Sequence, residues 1–215
     1  SSGSILAVGA IKNDGGGIDS GSVRVYSINT TATSTQGLPR IGGDIDGEDD
    51  GDYFGYSVDL NGDGTILAIG ANRAEGGGSG RGHVKVYEYS SSSWSQIGDN
   101  INGSSSGDQS GVTVSISSDG TILAIGSLRE YVKLYKYSSG SWSQISITLT
   151  GSSGSDFGYS ISLTADGSYL AVGARWAQSS AGSAAVYQIP TITNTTYNYN
   201  VNTPINNLYI EEIHI

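Results

Sequence analysis

The side chains best suited to chemistry in this chain are carboxylates. Six acids, Asp44, Asp46, Glu48, Asp49, Asp50 and Asp52, crowd one short stretch. An oxygen-rich loop of this kind can hold calcium, which takes roughly six to eight oxygen ligands, and paired carboxylates can act as acid and base in glycoside hydrolysis. Asp44, Asp46 and Glu48 are the candidate cation ligands here. The equivalent stretches further on read Asp99-Asn100-Ile101-Asn102-Gly103 and Ile147-Thr148-Leu149-Thr150-Gly151, so the fold does not require the acids. A solvated acidic loop is the plainer reading.

A second oxygen set, Asp59, Asn61 and Asp63, alternates through a turn-forming run that ends in Gly64. Asp-Gly is also a preferred two-residue hairpin turn, which gives a purely structural reading. The later turns keep Asp119-Gly120 and Asp166-Gly167 without the other oxygens, in favour of that reading. Asp52, Asp108 and Asp156 recur just before strand-like runs, where a turn-bonding role is expected.

Other chemistry finds little support. No Cys is present, which removes disulfides, zinc-thiolate sites and cysteine nucleophiles. His83 and His214 are far apart and have no nucleophile context near either, whereas a Ser/His/Asp machine needs mutually oriented partners. The glycine-rich run from Gly76 to Gly82 joins two strands and precedes no helix, so it lacks the geometry of a phosphate cradle. Arg175 and Trp176 lie together in a loop, where an aromatic ring and a cation can contact a sugar or a partner protein.

These residues sit on a repeated frame. Ser4-Ile5-Leu6-Ala7-Val8-Gly9-Ala10 returns with few changes at Thr65, Thr121 and Ser168, starts that are 61, 56 and 47 residues apart. Each copy is followed by a Val-x-Val-Tyr-like run, at Val23, Val84, Val132 and Ala184. Period-two runs between Asn, Asp and Gly clusters read as antiparallel strands. Trp94-Ser95-Gln96-Ile97-Gly98 and Trp142-Ser143-Gln144-Ile145-Ser146 supply a fourth strand, with Leu38 to Gly42 a degenerate copy. Phe54 to Leu60, Gly111 to Ile116 and Phe157 to Leu163 supply the first.

Four short strands per unit of about 50 residues predict a β-propeller. The expected class is therefore all-β, with four-stranded antiparallel blades near 1–50, 51–106, 107–154 and 155–190. The first blade lacks its first strand. Gly makes up 33 of 215 residues, in keeping with many tight turns and against long helices. An Asn/Thr-rich tail, 191–215, ends in a strand-like run from Leu208 to Ile215. It is expected either to close the ring or to be exchanged with a neighbour.

Phe54-Gly55, Asp59 to Gly64 and Gly70-Ala71 together resemble an FG-GAP repeat, the blade unit of integrin α-subunit propellers, and Phe157-Gly158 with Gly173-Ala174 repeats the likeness. Blocks such as Trp94 to Gly98 and Asp44 to Glu48 also resemble tandem repeats in large secreted or surface proteins of marine bacteria, algae and their viruses. The resemblance implies extracellular adhesion or ligand binding. It also implies calcium in a D-x-[DN]-x-D-G-x-x-D loop, for which Asp59, Asn61 and Asp63 match while the last acidic position falls on Leu67.

With 10 Lys+Arg against 20 Asp+Glu the chain carries −10, a field that repels nucleic acid and anionic membranes. No apolar run approaches the roughly 20 residues of a membrane helix. The absence of Met points to a processed or excised piece of a longer chain. The expected function is a non-enzymatic extracellular or surface module for adhesion, protein or glycan binding, or structural assembly, with self-association through the tail. Calcium is the candidate cofactor. The alternatives are a filament or virion subunit assembled by strand exchange, and a carbohydrate-active hydrolase using the acidic loop.

Overall fold

The computed structural model describes residues 4–28, 37–74, 80–177 and 181–189. The tail from 191 to 215, with its terminal strand-like run and His214, lies outside them, as do residues 1–3 and most of the glycine-rich loop. Every element among the described residues is a β-strand.

Four antiparallel sheets stand as the blades of a β-propeller. The first holds β1 (Ile5–Ala10), β2 (Ser22–Ser27) and β3 (Ile45–Asp46). The second runs β4 (Phe54–Leu60), β5 (Ile66–Ala71), β6 (His83–Ser90) and β7 (Ser93–Gln96), with β8 (Ile101–Asn102) also on β6. The third is β9 (Thr113–Ile116), β10 (Ile122–Gly126), β11 (Tyr131–Ser138) and β12 (Ser141–Thr150). The fourth is β13 (Phe157–Leu163), β14 (Tyr169–Ala174) and β15 (Ser183–Gln188).

The middle strands carry continuous apolar runs such as Ile66-Leu67-Ala68-Ile69, and since successive residues point to opposite faces, both faces of a blade are apolar and both need cover. The core therefore lies between blades. Leu67 and Ile69 of β5 pack on Val23 and Val25 of β2; Leu123 and Ile125 of β10 pack on Ala68, Val84 and Val86. Leu170 and Val172 of β14 pack on Ala124, Val132 and Leu134. Burying each of these large aliphatic side chains contributes about 1.5–3 kcal/mol.

The Phe-Gly and Gly-Ala pairs acquire a physical reason here. Between Phe54↔Ala71 and Ser57↔Gly70 the pairing of β4 with β5 shifts, and Gly55 sits in that bulge at φ +88°. Gly111 and Gly158 hold the same place at +90° and +88°. The carbonyl of each such glycine crosses over a glycine of the preceding blade, Gly55 over Gly9, Gly111 over Gly70 and Gly158 over Gly126, where a Cβ would overlap backbone. Phe54 is buried beside this crossing.

The fourth strand differs from expectation in two respects. Leu38 to Gly42 makes only a single bridge, Tyr26↔Arg40. The runs beginning at Asp44, Asp99 and Ile147, read above as loops, instead continue the outer strand, because Ile45, Ile101 and Leu149 turn inward and are buried. Trp94 and Trp142 are inter-blade wedges: their Nε1–H groups donate to the Ile41 and Ile97 carbonyls of the preceding blade, at 2.9 and 3.2 Å.

Candidate functional site

The acidic stretch does not form one site. Asp44 accepts from Arg24 at 3.0 Å and also pairs with Arg40. Glu48 pairs with Lys85 of the second blade at 2.6 Å, and this partner holds its carboxyl below the usual range. Asp50 accepts the Ile18 N–H at 2.8 Å. Asp46 is exposed. Asp44, Asp46 and Glu48 thus go to separate surroundings rather than converging on a cation.

The hairpin oxygens are likewise spoken for. Asn61 Oδ1 accepts the Ile66 N–H at 2.9 Å, and Asp63 Oδ1 accepts the Thr65 N–H at 3.0 Å and its hydroxyl at 2.6 Å. Asp119 with Thr121 and Asp166 with Ser168 repeat the arrangement. These are not two-residue turns, because only the glycine has positive φ: +77° at Gly64, +74° at Gly120 and +71° at Gly167. The chain closes instead through an i→i+3 bond such as Gly64 N–H to the Asn61 carbonyl, and the aspartate side chain braces the residue after the glycine. The bracing hydrogen bonds draw the Asp166 carboxyl down to about 2.

Asp59 points elsewhere. Its Oδ2 accepts the Ile116 N–H of the next blade at 2.8 Å, as Ser115 Oγ accepts the Leu163 N–H at 3.0 Å. Burial raises its pKa, opposed by the bonds from Ile116 and Ser115. Asp59, Ser115 and Ser162 line a cavity of about 420 Å³ among the inner strands β4, β9 and β13. Asp59, Asn61 and Asp63 therefore fit a braced hairpin plus an inter-blade cap, not a shared cation. Among the described residues no group of three or more His, Asp or Glu side chains is placed to hold a metal.

The recurrent pre-strand aspartates also need correcting. Tyr53, Gln109 and Asp156 share positive φ of 58°, 48° and 53°, so the buried position before them is Asp52, Asp108 and Ser155. Asp108 does bind its turn, accepting the Ser104 and Ser105 N–H groups at 2.7 and 2.8 Å and the Tyr131 hydroxyl at 2.7 Å. Asp156, one residue further on, is free of that duty and pairs with Arg175.

Arg175 and Trp176 consequently belong to a larger group. The Arg175 guanidinium stacks 4.0 Å from the Tyr159 ring centroid and 5.5 Å from that of Trp176, and Asp156 raises its pKa through their hydrogen bond. Trp176 is 53% exposed and Tyr159 is 41% exposed. The second blade carries a smaller version, Arg73 over Tyr53 at 4.5 Å. Asp156 and Tyr159 were missed as site residues in sequence. The signal that would have found Tyr159 is its match to Tyr56 within the repeat. Chemically, the group offers an aromatic face, a fixed cation and a carboxylate side by side on an open surface.

With this geometry in place, the Phe-Gly bulge and the Gly-Ala crossing of the second blade identify its repeat. Residues 45–87 match the FG-GAP repeat family. No curated protein matches the chain in sequence. Among solved structures, a candidate 6-phosphogluconolactonase from Bacteroides fragilis shares 15% identity at a TM-score of 0.56, over 78% of this chain and 44% of that one. Hsv2 from Kluyveromyces lactis shares 12% at 0.52, over 80% of this chain and 45% of that one. This chain thus spans less than half the length of either, and at these identities the likeness carries the fold alone. A propeller that carries such a repeat suggests a binding or structural module.

Proposed function

We propose that this FG-GAP propeller is a non-enzymatic module of an extracellular or surface protein that binds glycan or protein through the loops of its last blade. The observation that carries the reading is the exposed stack of Arg175 on Tyr159 and Trp176, held by Asp156. Stacking fixes the planar groups in advance, so little conformational entropy is lost when a sugar ring or an aromatic side chain lies on them. The carboxylate and guanidinium then supply directional hydrogen bonds to hydroxyl groups. The dispersal of Asp44, Glu48 and Asp50 onto separate partners supports binding over hydrolysis, since acid–base cleavage needs two carboxylates facing one bond.

The test is an array of neutral and uronic-acid oligosaccharides probed with the full chain. Binding to at least one glycan class is expected, and it should fall by about tenfold or more in Trp176→Ala and in Arg175→Ala, as loss of a stacking anchor implies. Binding that survives both substitutions, or its absence across the array, would sink the glycan reading.

A further inference from the structure

The three junctions inside the chain are copies of one interface. The forward half presents the cross-strand pairs Leu67↔Tyr87 and Ile69↔Lys85 in the second blade, with Leu123↔Tyr135 and Ile125↔Lys133 in the third. The rear half is the opposite face of the preceding blade, for example Ala68, Val84 and Val86. A polar latch crosses each of the first two junctions: Lys85 reaches Glu48, and Lys133 reaches Ser104 at the same repeat position.

Both halves recur uncovered at the two ends of the described arc. The first blade shows the forward half as Leu6↔Tyr26 and Val8↔Arg24. Leu6 is 40% exposed and Val8 45%, where their counterparts Leu67 and Ile69 are 0%. The last blade shows the rear half: Ala171 and Ala184 are exposed and Val186 is half-buried, where Ala68, Val84 and Val86 are buried. Gly173 repeats the crossing glycines Gly9, Gly70 and Gly126, yet the atoms nearest to it are all of Ser160 in its own blade, with no glycine carbonyl above it.

We infer that the forward face of the first blade of one copy seats on the rear face of the last blade of a second copy, forming a head-to-tail junction of the same design as the internal three. Leu6 and Val8 would lie on Ala184 and Val186. A blade is the occupant because the uncovered faces are two strands wide, β1 with β2 and β14 with β15, which a lone added strand does not cover. A second copy supplies it because one chain carries both complementary halves. The arc also matches less than half of the solved chains onto which it superposes, which leaves room for a second arc of equal size.

The test uses the full chain, which has no native cysteine. Sedimentation across a concentration series should show a species of at least two 22.1 kDa copies. Leu6→Asp, at an exposed site, should keep its melting transition and weaken association by about tenfold or more, the effect of roughly 1.4 kcal/mol lost at one anchor. Mixing Val8→Cys with Ala184→Cys under oxidation should link the two variants to each other, and neither to itself. A chain that stays single at every concentration overturns the inference, as does association unchanged by Leu6→Asp. A Val8→Cys/Ala184→Cys double variant that closes its disulfide within one copy overturns it equally, because the arc would then be shut on itself.

Discussion

Lys85 Nζ lies 2.6 Å from Glu48 Oε1 across the junction of the first and second blades, with the lysine side chain 3% exposed and the glutamate 68%. The ammonium is the desolvated partner and depends on the pair. Glu48→Gln is expected to destabilise the protein by about 1–3 kcal/mol, less than for a fully buried pair because the carboxylate is screened by solvent. Lys85→Met should be near neutral, since its stem is already packed. Thermal melts of the two variants check the contrast, and equal losses would refute it.

The crossing glycines yield a positional contrast. At Gly126 an added methyl would overlap the Gly158 carbonyl, whereas at Gly173 it would meet chiefly the Ser160 hydroxyl, which can rotate away. Gly126→Ala should cost about 1–3 kcal/mol by overpacking and Gly173→Ala well under that. Chemical denaturation midpoints would show it.

His83 is buried, its Nε2 has no hydrogen-bond partner, and burial lowers its pKa to about 4. The folded state then resists a proton that the unfolded chain takes up near the ordinary value. Stability from this group is full above about 6.5 and falls as pH drops toward 4, by up to about 3 kcal/mol. Glu48, whose pKa is lowered, loses its contribution in the same direction at lower pH. His83→Ser, the residue of the first and last blades at this position, should flatten the upper part of the curve. Melting temperature against pH in both proteins tests this.

The hairpin carboxylates are engaged by backbone and hydroxyl donors. Calcium or a chelator is therefore expected to leave the melting temperature unmoved. Asp119→Ala should lower stability by about 1–2 kcal/mol through loss of the brace. A clear calcium-dependent rise would restore a cation to these turns.

Much of the fold was legible in the chain because the repeat imposes itself at every level. The Ile-Leu-Ala-Ile-Gly runs, the Val-x-Val-Tyr runs and the turn glycines each fixed a strand or its end, and four near-copies implied blades. The site was less legible. Asp44, Asp46 and Glu48 look like a cluster in one dimension, but strand alternation turns Ile45 inward, Asp44 goes to Arg24 and Arg40, Glu48 goes to Lys85, and Asp46 stays exposed. Asp156 looked like the third of a series, yet Ser155 holds the buried position and leaves Asp156 to Arg175.

The sequence by itself determined local matters: period-two runs, turns, the Phe-Gly bulge and the order of strands within a blade, because these depend on neighbours a few residues apart. Only the tertiary structure decided which polar groups meet. Lys85 with Glu48 and Asp59 with Ile116 join residues on different blades, where pairing rests on how one sheet lies on the next, and Tyr159 meets Arg175 within the last blade beside the bulge of β13. It also decided that Leu6 and Val8, nearly identical in sequence to the buried Leu67 and Ile69, stand exposed, since burial belongs to the neighbouring blade and not to the residue.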